Sequence, residues 1–210
     1  MPQPAQAPAL DPQVVYTVAS GDLRLSANVT CWPAQAALET DFAAAVSKLG
    51  WAVRRGHAFD AAKGHGFIDS QRAGIEVFKG LPPDAPLVVV EGVWQYSHHV
   101  LAGLRSHEGP ILIVANWSGE FPGLVGLLNL AGSLTKAGIS YSTLWSEDFT
   151  DEWATECLRT WLDTGSLKHR IDHVRDVGDL GSGAEAELGR ALADHLVRDK
   201  AIIGVFDEGC

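Results

Sequence analysis

The sequence is poor in cysteine, in positive charge and in nucleotide-binding glycine motifs, and each shortage narrows its chemistry. Its three cysteines, Cys31, Cys157 and Cys210, share no metal-ligand spacing. An odd number of thiols without a secretory signal reads as reduced cysteines, so a cytoplasmic location is expected. Met1–Pro12 holds no basic residue and no apolar h-region, so it does not read as a signal peptide. Lys and Arg number 16 against 26 Asp and Glu, a net charge of −10. That balance argues against nucleic acid or an anionic membrane as partner. The longest apolar helical stretch, Leu124–Ala131, is too short and too glycine-broken to span a bilayer. No G-x-G-x-x-G follows a strand, and no G-x-x-x-x-G-K-[ST] occurs. Trp117-Ser118-Gly119 lacks the first glycine of a G-x-S-x-G elbow. Nucleotide binding and serine hydrolysis are therefore unsupported.

What remains is a chain of 210 residues, 46% hydrophobic, enough for one full domain and part of another. Its organising stretch is Ile111–Gly138. An apolar run, Ile111–Ala115, suits one buried strand. Asn116–Phe121 interrupts it, and a helix follows with Pro122 near its first turn, where a missing N–H costs nothing. Lys136 falls in the last turn, and Gly138 stands where a left-handed cap is wanted. Gly123, Gly126 and Gly132 are expected to let this helix approach the sheet closely.

Strand and helix signals alternate around this unit. Met1–Gln13, rich in Pro, Ala and Gln, reads as a flexible tail. Val14–Ala19 is a β-branched strand, and Leu23–Thr30 reads as an extended loop or short strand. A helix is expected from Pro33 to Leu49, with Leu38, Phe42, Ala45, Val46 and Leu49 as its apolar stripe. Trp51–Arg55 is a weak strand, and His57–Gly66 a loop whose two histidines read as surface or interface groups. Ile68–Phe78 reads as a helix with Ile75 and Phe78 inward. Leu87–Val90 is a buried strand ending at Glu91-Gly92, and Tyr96–Arg105 the next helix, with His98 and His99 as surface or interface groups. Ile139–Leu144 is another strand. Thr150 is expected to cap a helix whose inner face carries Trp153, Cys157, Leu158 and Trp161.

This alternation predicts an α/β domain over residues 14–164, a flavodoxin-like parallel sheet with helices on both faces. A boundary is expected at 165, opening a linker and the start of a second α/β unit, 165–210. Ser182–Glu185 reads as a capping box for a helix bearing Leu188, Leu192 and Leu196. Ala201–Phe206 reads as the first strand of that unit. An apolar strand left exposed is a liability. So it either packs on the first domain, or the chain is a fragment of a longer protein.

Ligands of open parallel sheets gather at the carboxyl ends of the strands. Candidate residues there are Trp94 and Gln95 after the third strand and Asn116, Trp117 and Glu120 after the fourth. If those strands are neighbours, two indoles and two amides share one rim. Sugars favour such a mix, because their apolar faces stack on aromatic rings while amides bind hydroxyls. The alternative is plain packing. Arg24, after the first strand, is a weaker candidate. Asp207-Glu208 follows the last strand, as a site or as a solvated acidic end. His169 and His173 stand at i, i+4, but lack the glutamate of a zinc-protease helix.

Two stretches resemble one family. NWSGEFPGLVGLLNLAGSL, residues 116–134, and IGVFDEGC, residues 203–210, are similar to the N-terminal domain and to the start of the active-site domain of the L-fucose/L-arabinose isomerases. They lie in the order that family requires, and the resemblance runs from about Val14 to Cys210. It implies a metal-dependent aldose–ketose isomerase. In it Glu208 is the carboxylate that binds Mn2+ and transfers the proton. A divalent ion holding both oxygens stabilises an ene-diol, and a carboxylate beside it moves the proton between carbons. The resemblance also implies a homo-oligomer, in which this domain helps to cover the sugar of a neighbouring subunit through Trp94, Gln95, Trp117 and Glu120, whereas Arg24 reads first as a plain surface arginine. The second carboxylate and the histidine that the family's reaction needs come after the position of Cys210. The expectation is that the chain alone neither holds manganese nor isomerises sugars. A non-catalytic sugar-binding or subunit-assembly module is the rival reading.

Overall fold

The computed structural model describes residues 13–94, 98–175, 183–202 and 204. The chain divides into two compact units, Met1–Lys168 and His169–Cys210. In the first, strands β1 (Val14–Val18), β2 (Ala52–Arg55), β3 (Leu87–Glu91), β4 (Ile111–Ala115) and β5 (Ser142–Trp145) alternate with helices. The helices are α1 (Leu25–Lys48), α2 (Gln71–Gly80), α3 (Leu101–Arg105), α4 (Leu124–Ala137) and α5 (Glu152–Thr164). All four strand pairings are parallel, in the order β2-β1-β3-β4-β5. This is the flavodoxin-like fold expected from the alternation. Its switch point lies between β1 and β3, where the chain leaves β1 in opposite directions across the sheet.

Burial follows from position in that order. β1, β3 and β4 are buried at every residue, because helices cover both faces. One face packs Val89, Ile113 and Leu104 against Leu127, Leu130 and Leu134 of α4. The other packs Val88, Val90 and Val114 against Leu38, Phe42 and Val46 of α1 and Leu158 and Trp161 of α5. A third, smaller cluster at the carboxyl ends of the strands joins Ala19, Phe67 and Val93 to Trp32 and Phe121. The edge strand β2 alternates exposed and half-buried residues.

Several local expectations are corrected. α1 begins at Leu25, not at Pro33, and carries that proline inside it. The start is set by Asn28, whose amide donates to the Asp22 carbonyl and accepts from the Asp22 N–H. Proline forfeits one bond, to Val29, and half-exposed Val29 leaves that carbonyl to solvent. α2 starts at Gln71, behind Ser70, whose Oγ accepts from the Ala73 N–H. Its inward stripe is Ala73, Gly74, Val77 and Phe78, which turns Ile75 out to solvent. α3 is only Leu101–Arg105. α5 is capped by Asp151, one residue later than Thr150, and its Trp153 faces out to lean on Trp145. Gly138 does close α4 in the left-handed region, at φ 69°. Gly123 precedes α4, and a Cβ there would lie 1.7 Å from the Glu91 carbonyl. Gly132, by contrast, faces open space.

In the second unit, α6 (Ala184–Arg198) has no buried residue, and Leu188, Leu192 and Leu196 lie exposed along it. Ser182 and half of the expected strand Ala201–Phe206 lie outside the described residues; Ala201, Ile202 and Gly204 form no strand. His169–His173 is not helical, with a turn at 172 and 173.

The two glycines give opposite predictions. Gly132→Ala raises stability by about 0.5–1 kcal/mol, the helix-propensity difference at an open site. Gly123→Ala lowers it by roughly 2 kcal/mol or more, because α4 must back away from β3. Urea unfolding of the two variants checks the signs.

Candidate functional site

The crevice at the switch point is built from three loops and the first turns of α1. Asp22 and Arg24 follow β1, Trp94 follows β3, and Phe121 follows β4. Together with Ser26, Ala27, Thr30 and Cys31 of α1 they line a cleft of about 310 Å³. The loop after β1 is rigidly held. Asp22 Oδ1 accepts from the Arg24 backbone N–H and from its Nε, while Oδ2 accepts from Nη2 at 3.0 Å. The guanidinium holds the Asp22 carboxyl below its ordinary range. Asn28, fully buried, fixes the Asp22 main chain from behind. Arg24 is thus a cation aimed by a carboxylate and left three-quarters exposed at the mouth of the cleft. Burial, then the nearby charges of Asp22 and Glu120, push the Cys31 thiol up, so it is neutral at ordinary pH.

Beneath the cleft lies a layer of polar side chains tied to the strand ends. Gln35 of α1 donates to the Val90 carbonyl and accepts from the Gly92 N–H, straddling the end of β3. It also donates to Glu39, whose carboxylate takes a bidentate grip from Arg55. Arg55 goes on to the carbonyls of His57 and Gly66. Half-buried His57 accepts the Ala19 N–H on Nε2, which places its ring proton on Nδ1. Arg55 therefore serves the His57 carbonyl at 2.7 Å rather than Nδ1 at 3.2 Å. Burial, reinforced by the Arg55 charge, pushes the His57 imidazole down to about 3.

Glu91 is the outlier. It ends β3, is fully buried, and its Oε1 makes no hydrogen bond among the described residues. Burial alone pushes its carboxyl up to about 8, so it is protonated at neutral pH. His65 and His99 are also buried, each with an unbonded Nε2, and burial lowers both imidazoles. His57, His65 and His99, expected as surface or interface groups, are thus half-buried in the first case and buried in the other two. Sequence pattern gives no warning, since a glycine-rich loop folded over α1 looks like any solvated one.

The candidate residues separate into two groups. Arg24 and Trp94 meet in the switch-point cleft, and Glu120 lies near enough to act on Cys31 there. Trp117 lines a different cleft, beyond β4, with Trp145 and Trp153. β3 and β4 are neighbours, yet their tryptophans part company. Asn116 spends its amide on the loop: Oδ1 accepts from the Gly123 N–H and Nδ2 donates to the Ser118 carbonyl. Gln95 and Glu208 lie outside the described residues. Asp22 and Cys31 are cleft residues that sequence reasoning missed, as is Asn28, which fixes the Asp22 loop from behind. No group of three His, Cys, Asp or Glu side chains among the described residues is arranged to hold a metal. No described helix is long and apolar enough to cross a membrane. No family model and no curated protein matches the chain.

Glu91 and His57 together predict a pH profile. Glu91 has a folded pKa above its ordinary 4.5, so its contribution is intact below 4.5 and falls away as pH rises toward 8. His57 has a folded pKa below its ordinary 6.5, so its contribution is intact above 6.5 and falls away as pH drops toward 3. Between those two ordinary values the slopes cancel; outside them each acts alone, at about 1.4 kcal/mol per pH unit. Thermal melts should show Glu91→Gln abolishing roughly 4–8 °C of decline on the alkaline flank, and His57→Gln a similar decline on the acid flank.

Proposed function

We propose that the first unit is the sugar-facing N-terminal lobe of a metal-dependent aldose–ketose isomerase of the fucose/arabinose type. The observation that supports this reading is the meeting of Arg24 and Trp94. Two residues from separate loops, singled out for sugar contact, line one cleft at the switch point together with Phe121. Indole and phenyl faces suit the C–H face of a pyranose, and a fixed guanidinium suits its hydroxyls. The volume of about 310 Å³ is that of a small ligand rather than a polymer.

The metal chemistry is not drawn from the lobe. Glu208 enters through the resemblance, as the carboxylate that would hold manganese and carry the proton. Within the lobe the work is positioning. Asp22 aims Arg24, Asn28 fixes the loop, and Trp94 and Phe121 displace water from one sugar face. In a homo-oligomer the same rim would close over the sugar of a neighbouring subunit. The cleft's lining suits a sugar with or without a metal and so carries a second reading as well. In that reading the cleft binds sugar without catalysing anything.

Titration of the chain with L-fucose and L-arabinose, followed by tryptophan fluorescence, tests the common part. Saturation is expected at millimolar sugar, with roughly tenfold weaker binding in Trp94→Ala and in Arg24→Ala. Trp117→Ala is expected to bind normally. Manganese-dependent ketose formation after addition of a C-terminal chain, abolished by Glu208→Gln, supports the isomerase. Sugar binding indifferent to EDTA and to Glu208→Gln, with no turnover in that mixture, supports the module. Failure to saturate with either sugar overturns both.

A further inference from the structure

The second cleft has a chemistry of its own. It lies at the carboxyl ends of β4 and β5, encloses about 320 Å³, and is walled by Trp117, Trp145 and Trp153. The Trp145 and Trp153 rings stand 5.5 Å apart, tilted by 50°, and so form a corner rather than a closed stack. Trp117 is 55% exposed and Trp153 44%, high values for indoles that could have packed inward. The rest of the wall is Ser146 and three carboxylates, Glu147, Asp148 and Asp151, with no lysine or arginine in the lining.

How the carboxylates are used decides what the cleft can hold. Asp151 accepts from the Ser146 hydroxyl and caps α5 at the Ala154 N–H. Asp148 accepts from the Thr150 N–H and hydroxyl, which hold its carboxyl below the ordinary range. The lone pairs of both thus serve the loop. Glu147 is exposed and makes no hydrogen bond or ion pair among the described residues. Lys48, near the end of α1, acts on Asp148 from outside the lining. Apart from Glu147, the carboxylates of this wall are committed to the loop, so a polyol finds few fixed acceptors there. A cation needs only π-faces and negative potential, and here both converge. The loop is strained as well: Phe149, between Asp148 and Thr150, sits at φ 58° with its ring buried against Phe42. Strain of that kind is kept where the surrounding structure holds a site in shape.

We propose that the Trp117–Trp145–Trp153 cleft binds an alkylammonium group, independently of the switch-point cleft. The cation rests in the indole corner and is neutralised by Glu147 and Asp148 without a direct hydrogen bond being required.

The test is an NMR titration of the full chain, following the indole Nε1–H resonances, with tetramethylammonium, n-butylammonium and the uncharged isostere 2,2-dimethylpropanol. Both cations should move the three cleft indoles saturably, with midpoints of roughly 1–10 mM. The alcohol should move them weakly and without saturation. Trp117→Ala should weaken binding about tenfold, and Glu147→Gln about threefold with a flatter dependence on salt. Trp153→Ala serves as a second aromatic variant, its folding checked by the sheet amide resonances. Saturation by the alcohol at the same midpoint would reduce the cleft to an apolar slot and overturn the proposal. So would a cation response unmoved by Trp117→Ala and Glu147→Gln together, or no saturation by roughly 50 mM.

Discussion

One amide holds the functional end of the sheet together. Gln35 reaches from α1 to both the carbonyl of Val90 and the N–H of Gly92. Those are backbone groups that β3 leaves unpaired as it runs out of sheet. A buried strand end without partners is expensive. Gln35 satisfies it from a helix, and so fixes how far α1 stands from the switch point. The same side chain feeds Glu39, Arg55 and His57, which reach the ends of β2 and β1. The mouth of the cleft is therefore referenced to three strands through one connected set of bonds. Such a set is worth more than its members taken singly, and loses more when one is removed.

Against that background Glu91 is conspicuous. The N–H of the next residue, Gly92, is bonded to Gln35, while the Glu91 carboxyl is sealed in with Oε1 unpartnered among the described residues. A neutral acid in that place tolerates burial at neutral pH at the cost of stability in alkali. Gly123 seats α4 directly on the Glu91 carbonyl, so the backbone of this residue is crowded where its side chain is merely unmet. The residue sits where parallel sheets keep their chemistry, and the fold accepts an energetic penalty to keep it there.

Much of the fold was legible in the chain, and the reasons are physical. Continuous apolar runs such as Ile111–Ala115 have one comfortable home, a strand covered on both faces. Gly138 could be read as a left-handed cap because few other residues tolerate that conformation. What escaped was tertiary. Pro33 looked like a helix start, since local rules do not know that Asn28 would fix the helix start at Leu25. Ile75 looked like core, and the close approach of Gly74 to the His99 carbonyl rotated the helix away from it. His57, His65 and His99 looked solvated, and their burial depends on loops meeting α1 across long sequence separations. The rim residues were found by position, but not their division into two clefts. That division depends on which way each indole leaves its strand, and sequence spacing does not encode it.

Pro33 parts α1 into a forward piece, which walls the cleft with Ser26, Thr30 and Cys31, and a rear piece, which drives Leu38, Phe42 and Val46 into the main core. The missing N–H breaks the ladder between them. The forward turns rest on the small cluster of Phe67 and Val93, the rear turns on the large one. One helix therefore serves two parts of the fold, its forward turns the mouth of the cleft and its rear turns the main core, on either side of a single pyrrolidine ring.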